Sequence, residues 1–162
     1  MTRLTPIAVI ALVLTLAACS NDSCHDNGSS LPLAAFYING TQQSIPALSI
    51  MGIGVPGDSL LADEESLKEA YLPLRATTTT TSYAMWRTFT SSSSELIVGD
   101  TITLSYKVVP YFHSIECGAM YNFDITDIVH TCHGIDSVVV ITPHVTNARV
   151  PALRIYFTDF SQ

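Results

Sequence analysis

TITLSYKV, Thr101 to Val108, puts Ile102, Leu104, Tyr106 and Val108 on one side of an extended backbone and Thr101, Thr103, Ser105 and Lys107 on the other. Successive side chains of a strand point to opposite faces, so a period of two marks a strand with one buried and one wet face. The helical period of 3.6 residues is absent here.

The same alternation recurs on either side. Tyr121, Phe123 and Ile125 alternate with Asn122, Asp124 and Thr126, and Leu153, Ile155 and Phe157 with Arg154 and Thr158. Val138-Val139-Val140-Ile141 is apolar on both faces, which predicts a central strand. Shorter strands are predicted at Leu33–Ile38, Leu48–Ile53, Ala70–Leu74 and Ser82–Phe89. Turn residues punctuate them at Asn39-Gly40, Pro56-Gly57-Asp58, Gly99-Asp100, Cys117-Gly118 and His133-Gly134. About eight short strands at this spacing imply an all-β chain, an antiparallel β-sandwich of immunoglobulin-like or related type. The one helix candidate, ADEESLKEA at Ala62–Ala70, lacks a second apolar turn and is expected as a single helical turn in a loop. Thr77–Thr81 and Ser91–Ser94 bracket the sole tryptophan, Trp86, and read as an exposed hairpin.

The N-terminus has a different grammar. Arg3 precedes an apolar run from about Leu4 to Leu16, then Ala17-Ala18 and Cys19, the layout of a secretory signal peptide. A transmembrane helix needs about 20 apolar residues, and this run, interrupted by Thr5, Pro6 and Thr15, is too short. Ending on Cys19, it resembles a bacterial lipoprotein box. A thiolate can take a lipid as a thioether, and small neighbours give a peptidase access. One acyl chain holds a protein only marginally, whereas two signals anchor it stably. Ser20 stands where an Asp would signal inner-membrane retention, and the following SNDSCHDNGSS reads as a polar tether without a dense acidic run. The expected organisation is a signal peptide at 1–18, a lipidated tether at 19–30 and a β-sandwich domain at 31–162. The expected location is the outer membrane, facing the periplasm rather than the cell surface.

Cleavage before Cys19 leaves 162 − 18 = 144 residues carrying 6 Lys and Arg against 14 Asp and Glu, a charge of 6 − 14 = −8 with His neutral. Phosphate binding needs a basic stripe, so nucleic acid is excluded as a partner. The partners left are the membrane, through lipid on Cys19, and an envelope protein or glycan.

Candidate chemistry is sparse. Asp58, Asp63, Glu64, Glu65 and Glu69 offer the carboxylates that calcium wants, but their spacing matches no calcium loop, and a solvated acidic loop is expected. HTCH groups His130, Cys132 and His133, and zinc would need a second ligand pair, for which only His113 or Cys117 is at hand. No metal or other cofactor is expected. No G-x-S-x-G or H-E-x-x-H occurs, so no catalytic residue is assigned. Trp86 with Tyr83 is the one ligand platform considered, for sugar stacking, although an odd separation turns the two rings to opposite faces of a regular strand. The resulting expectation is a non-enzymatic binding or scaffolding module. A surface-displayed carbohydrate-binding or adhesin-like module ranks second, and a hydrolase without a recognisable motif third.

Cys24 beyond the lipobox, LPL at Leu72–Leu74, DTITLSY at Asp100–Tyr106, ECG at Glu116–Gly118 and GIDSV at Gly134–Val138 together resemble a family of uncharacterised small Bacteroidota lipoproteins, a domain of unknown function. The resemblance implies an envelope lipoprotein with a β-rich domain and supplies no activity. With Cys19 acylated, three thiols remain in an oxidising compartment, which predicts one disulfide and one leftover thiol. Cys117–Cys132 would close 16 residues, worth about 3 kcal/mol of chain entropy. A strand between them, rising about 3.3 Å per residue, separates its ends far beyond the ~7 Å Cα limit of a bridge. Cys24–Cys117 would close 94 residues, worth nearly 5 kcal/mol by the same reasoning. The resemblance pairs these same two cysteines. Cys24–Cys117 is therefore the expected bridge, with Cys132 free and buried at a strand end.

Overall fold

Alternation along the chain becomes alternation of burial. In the computed structural model, which describes residues 30–54, 59–90, 94–114 and 118–160, Ile102, Leu104 and Tyr106 are buried while Thr101, Thr103 and Ser105 stay half-exposed. Among the described residues eleven strands form in chain order: β1 (Leu33–Ile38), β2 (Thr41–Gln42), β3 (Ile45–Ile53), β4 (Leu60–Leu67), β5 (Glu69–Tyr71), β6 (Thr80–Thr90), β7 (Glu95–Ser114), β8 (Gly118–His130), β9 (Ile135–Val140), β10 (His144–Val145) and β11 (Pro151–Phe157). The all-β, sandwich-like architecture expected from the period of two is what forms.

One sheet runs β10-β8-β7-β6-β3-β4, antiparallel throughout. The other runs β2-β1-β11-β9, with β5 also pairing β1. Its β1 and β11 are parallel, the exception to the antiparallel expectation, and they bring the two ends of the domain side by side. The core between the sheets is apolar: Phe36, Leu153 and Ile155 from one, Leu48, Ile50, Ile102 and Leu104 from the other, all fully buried. Phe36 meets Phe157 and Tyr106 meets Phe123 edge-to-face, with centroids 5.6 and 5.4 Å apart. Such pairs contribute roughly 0.5–1.5 kcal/mol beyond burial.

Four expectations need correction. The Thr/Ser-flanked segment is no exposed hairpin: β6 lies between β7 and β3 inside the six-stranded sheet, with Tyr83 and Met85 in the core. Gly99-Asp100 is not a turn but sits inside β7, where Gly99 faces Trp86 so closely that a Cβ would lie 3.1 Å from the Trp86 Cβ. A glycine in a strand marks such an approach. Ala62–Ala70 is extended, split between β4 and β5, because the Glu64 amide donates to Ser49 Oγ at 2.9 Å and Glu64 takes a φ of 49° in an irregular edge pairing with β3. Its exposed carboxylates suit an edge strand, which charge protects from pairing with other chains. Val138–Ile141 is not central either: β9 is an edge paired only with β11 among the described residues, and Val139 is 44% exposed. Its β-branched composition reports strand propensity as well as burial.

The remaining punctuation is mixed. Asn39 and Gly40 both adopt positive φ, 51° and 75°, the geometry of a tight two-residue hairpin turn. Pro56-Gly57-Asp58 and Cys117 lie outside the described residues, as do the signal peptide, Cys19, Cys24 and the tether up to residue 29.

Candidate functional site

Among the described residues, side chains that could do chemistry or bind gather at each end of the sandwich. At the first end, Asp100 points inward from β7 beneath the loop that joins β8 to β9. Its Oδ1 accepts from Thr131 Oγ1 at 2.5 Å, His133 N at 2.9 Å and His133 Nδ1 at 3.0 Å. Its Oδ2 accepts from the backbone N–H groups of Gly134 and Ile135 at 2.6 and 2.8 Å. Burial alone would raise the Asp100 pKa, but these hydrogen bonds outweigh it and hold the carboxyl at about 2. Gly134 is needed for the packing: a Cβ there would lie 2.9 Å from Val98 Cγ1.

The HTCH residues thus sit on a clamped loop, and their rings are already committed. His133 Nδ1 donates to Asp100, and His130 Nδ1 lies 2.9 Å from the Thr131 carbonyl, to which it can only donate. Cys132 Sγ lies 3.6 Å from that same His130 Nδ1, so the nitrogen nearest the thiol carries a hydrogen and has no lone pair for its proton. A nucleophile–base–carboxylate relay needs one imidazole to bridge both partners, and here two different histidines divide the work. Cys132 is free, as expected, but it is exposed rather than buried, because the loop carries it outward while the backbone turns in toward Asp100. Among the described residues no three His, Cys, Asp or Glu side chains converge as a metal site. Asp63, Glu64 and Glu65 are exposed along β4 and Glu69 pairs with Arg149 at 2.8 Å, while Asp58 and Cys117 and the His113 side chain lie outside the described residues.

Sequence reading missed Arg87. It occupies a core-facing position of β6 at this same end, donating from Nη1 to the Thr158 carbonyl at 3.2 Å with its guanidinium 4.6 Å from the Phe89 ring. Burial lowers its pKa and Asp159 opposes that shift. An alternating strand predicts an inward Arg87 once Tyr83 and Met85 are inward, which is the signal that was available.

Tyr83 and Trp86 do not meet. Tyr83 is in the core, its hydroxyl donating to the Pro73 carbonyl, and Trp86 stands half-buried on the outer face. They share no stacking platform, as the odd separation anticipates.

The opposite end carries the second place. β7 and β8 continue as a paired ribbon to Ser114 and Gly118. Ser30, buried, donates to Asn122 Oδ1 at 2.7 Å and fixes the entering chain against β8. Between this N-terminal segment and the ribbon lies an open groove of about 310 Å³, lined by Ser30, Leu31 and Leu74 on one side and Ala119, Tyr121 and Phe123 on the other. Beside it Tyr106 braces the preceding loop: its hydroxyl donates to the Arg75 carbonyl at 2.9 Å and bonds Thr81 Oγ1 at 2.7 Å. The groove sets the apolar Leu31, Leu74 and Phe123 beside the polar Ser30 and the Tyr121 ring, a mixed lining that a binding surface can use.

No curated protein and no solved structure matches this chain. One family does: residues 47–157, 111 of the 162 residues, match a family of unknown function (DUF6452) across β3 to β11. The chain belongs to that family.

Proposed function

We propose that this protein is a lipid-anchored cell-envelope module that binds or scaffolds a partner, held to the outer membrane through Cys19 and facing the periplasm. The observation that carries the reading is the position of the domain's start. Ser30, eleven residues after Cys19, is buried against Asn122 beside the apolar groove, so an anchor on Cys19 would hold that end of the sandwich nearest the bilayer. The polar segment between them has the composition of a tether, and an anchored chain needs no helix of its own in the membrane. Among the described residues no helix is long and apolar enough to cross one.

The cysteine pairing fits the same arrangement. Cys24 precedes Ser30 by six residues, a reach of at most about 20–22 Å. From Asn122 to Gly118 β8 runs four residues, about 13 Å. Cys24 can therefore reach Cys117, the neighbour of Gly118. Cys132 follows the far end of β8, some twelve residues and about 40 Å from Gly118, beyond reach of Cys117. We therefore propose Cys24–Cys117 as the bridge.

Fractionation with protease shaving of intact cells tests the location. The periplasm-facing protein co-sediments with outer membranes and is cut only after the envelope is opened. Cleavage on intact cells would establish surface display instead.

A further inference from the structure

We propose that the overhanging ribbon of β7 and β8 rests in the headgroup region of the bilayer and makes a second contact that orients the anchored domain. The inference rests on the lipid-anchor reading above.

The ribbon's inner face follows from the register. Val108 and Phe123 are cross-strand partners at the edge of the core, and the next positions on the same face are Pro110 opposite Tyr121 and Phe112 opposite Ala119. Inside the sandwich this face is covered: Tyr106 is 2% exposed and Phe123 5%. One step further the face opens, and Tyr121 is 43% exposed and Phe112 67%. The alternation that builds a core thus continues onto a surface that, among the described residues, is covered only in part, by Ser30, Leu31 and Leu74 across the groove.

Three observations point to lipid as the occupant. The first is where the chain comes from. Ser30 is bonded to Asn122 at the base of the ribbon, and the eleven residues from Cys19 span on average about 17–20 Å as a polar linker. The ribbon beyond Asn122 extends about 13 Å, so its end lies within the tether's ordinary range of the membrane. The second is charge. In a chain whose mature charge is −8, the sixteen residues from Val108 to Phe123 hold one formal charge, Glu116. Glu95, Asp136 and Asp159 lie toward the opposite end with the Asp100 clamp, while Asp124, at the ribbon's base, stands opposite Lys107. Anionic lipid would repel that end and tolerate the ribbon. The third is side-chain type, since tyrosine with an apolar ring and a polar tip is favoured where membrane meets water. A single flexible attachment leaves a domain free to tumble, and a second contact fixes which face looks away from the bilayer.

Tryptophan quenching reads the contact directly. The full acylated protein carrying Trp86→Phe and Phe112→Trp is reconstituted into phosphatidylethanolamine–phosphatidylglycerol vesicles with lipids brominated at the headgroup end of the acyl chain. Bromine quenches indole only at near contact. The expected result is loss of most of the emission and a blue shift, and the same from Tyr121→Trp in the Trp86→Phe background. The unsubstituted protein is the control, because its Trp86, paired with Gly99, lies about 40 Å along β7 from Phe112 and keeps its emission. Floating, acylated protein whose new tryptophans ignore the bromine overturns the proposal. A blue shift without bromine quenching overturns it too, and assigns the face to a second copy or another protein. Failure of the anchor itself registers separately, as an unmodified Cys19 peptide and protein that does not float with the vesicles.

Discussion

Asp100→Asn keeps the size and shape of the side chain and removes one charge and one acceptor. In the native protein both carboxylate oxygens face only donors, Oδ1 toward Thr131 and His133 and Oδ2 toward the N–H groups of Gly134 and Ile135. Whichever way the amide turns, its NH2 meets donors. Two hydrogen bonds to a charged group are lost, at ~1.5–3 kcal/mol each, so the cost is about 3–6 kcal/mol. The pKa supplies an independent figure. A carboxyl held at about 2 against a usual 3.8 is stabilised in its charged form by roughly 2–3 kcal/mol. Because the folded-state value is the lower one, this contribution is complete above about pH 4 and is lost as pH falls through about 2. Equilibrium urea unfolding of both proteins, repeated at stepped pH, measures it. The variant is less stable at neutral pH, and the gap between the two proteins narrows as the wild-type carboxyl protonates. Hydrogen exchange at the Gly134 and Ile135 amides rises in the variant. A loss below about 1 kcal/mol, within reach of an ordinary surface substitution, or a gap that does not change with pH, would refute the clamp.

Gly134→Ala pushes a methyl against Val98 and costs about 1–3 kcal/mol; in a double-mutant cycle Val98→Ala recovers part of that loss, and strict additivity would count against the contact. Tyr106→Phe removes the hydroxyl that bonds the Arg75 carbonyl and Thr81, and lowers unfolding free energy by about 1–3 kcal/mol while leaving the β-rich circular dichroism unchanged. Cys132 in the native, non-reduced protein reacts fully with a maleimide because it is exposed, and the Cys24 and Cys117 peptides stay linked until a reductant is added. A Cys117–Cys132 peptide, or alkylated Cys24, would overturn the pairing.

The parts of this fold that a reader of the sequence can see are those where one side chain's neighbours are also its neighbours along the strand. Ile102, Leu104 and Tyr106 announce β7, and Leu33–Ile38 bounds β1 as observed. Asn39-Gly40 announces its turn because positive φ is a local property. Gly99-Asp100 misleads because both residues answer to distant partners, Gly99 to Trp86 across the sheet and Asp100 to a loop more than thirty positions on. The edge position of β9 is set by which strand lies beside it, which no window along the chain contains. The overhang has the same cause: alternation gives Tyr121 and Phe123 the same face, yet only Phe123 is buried. The candidate groove was therefore half legible, in its residues but not in its exposure. Arg87 is hard to see in the sequence because a charged side chain interrupts an apolar alternation that otherwise continues through it.

The anchor on Cys19 is the claim on which location, orientation and the role of the ribbon all depend. Mass spectrometry of the N-terminal peptide of the protein purified from membranes tests it most directly. The account predicts a chain that begins at Cys19 with a diacylglyceryl thioether on its sulfur, and Cys19→Ala leaves the uncleaved precursor without lipid label. A mature chain that begins elsewhere, or a Cys19 peptide of unmodified mass, would contradict it.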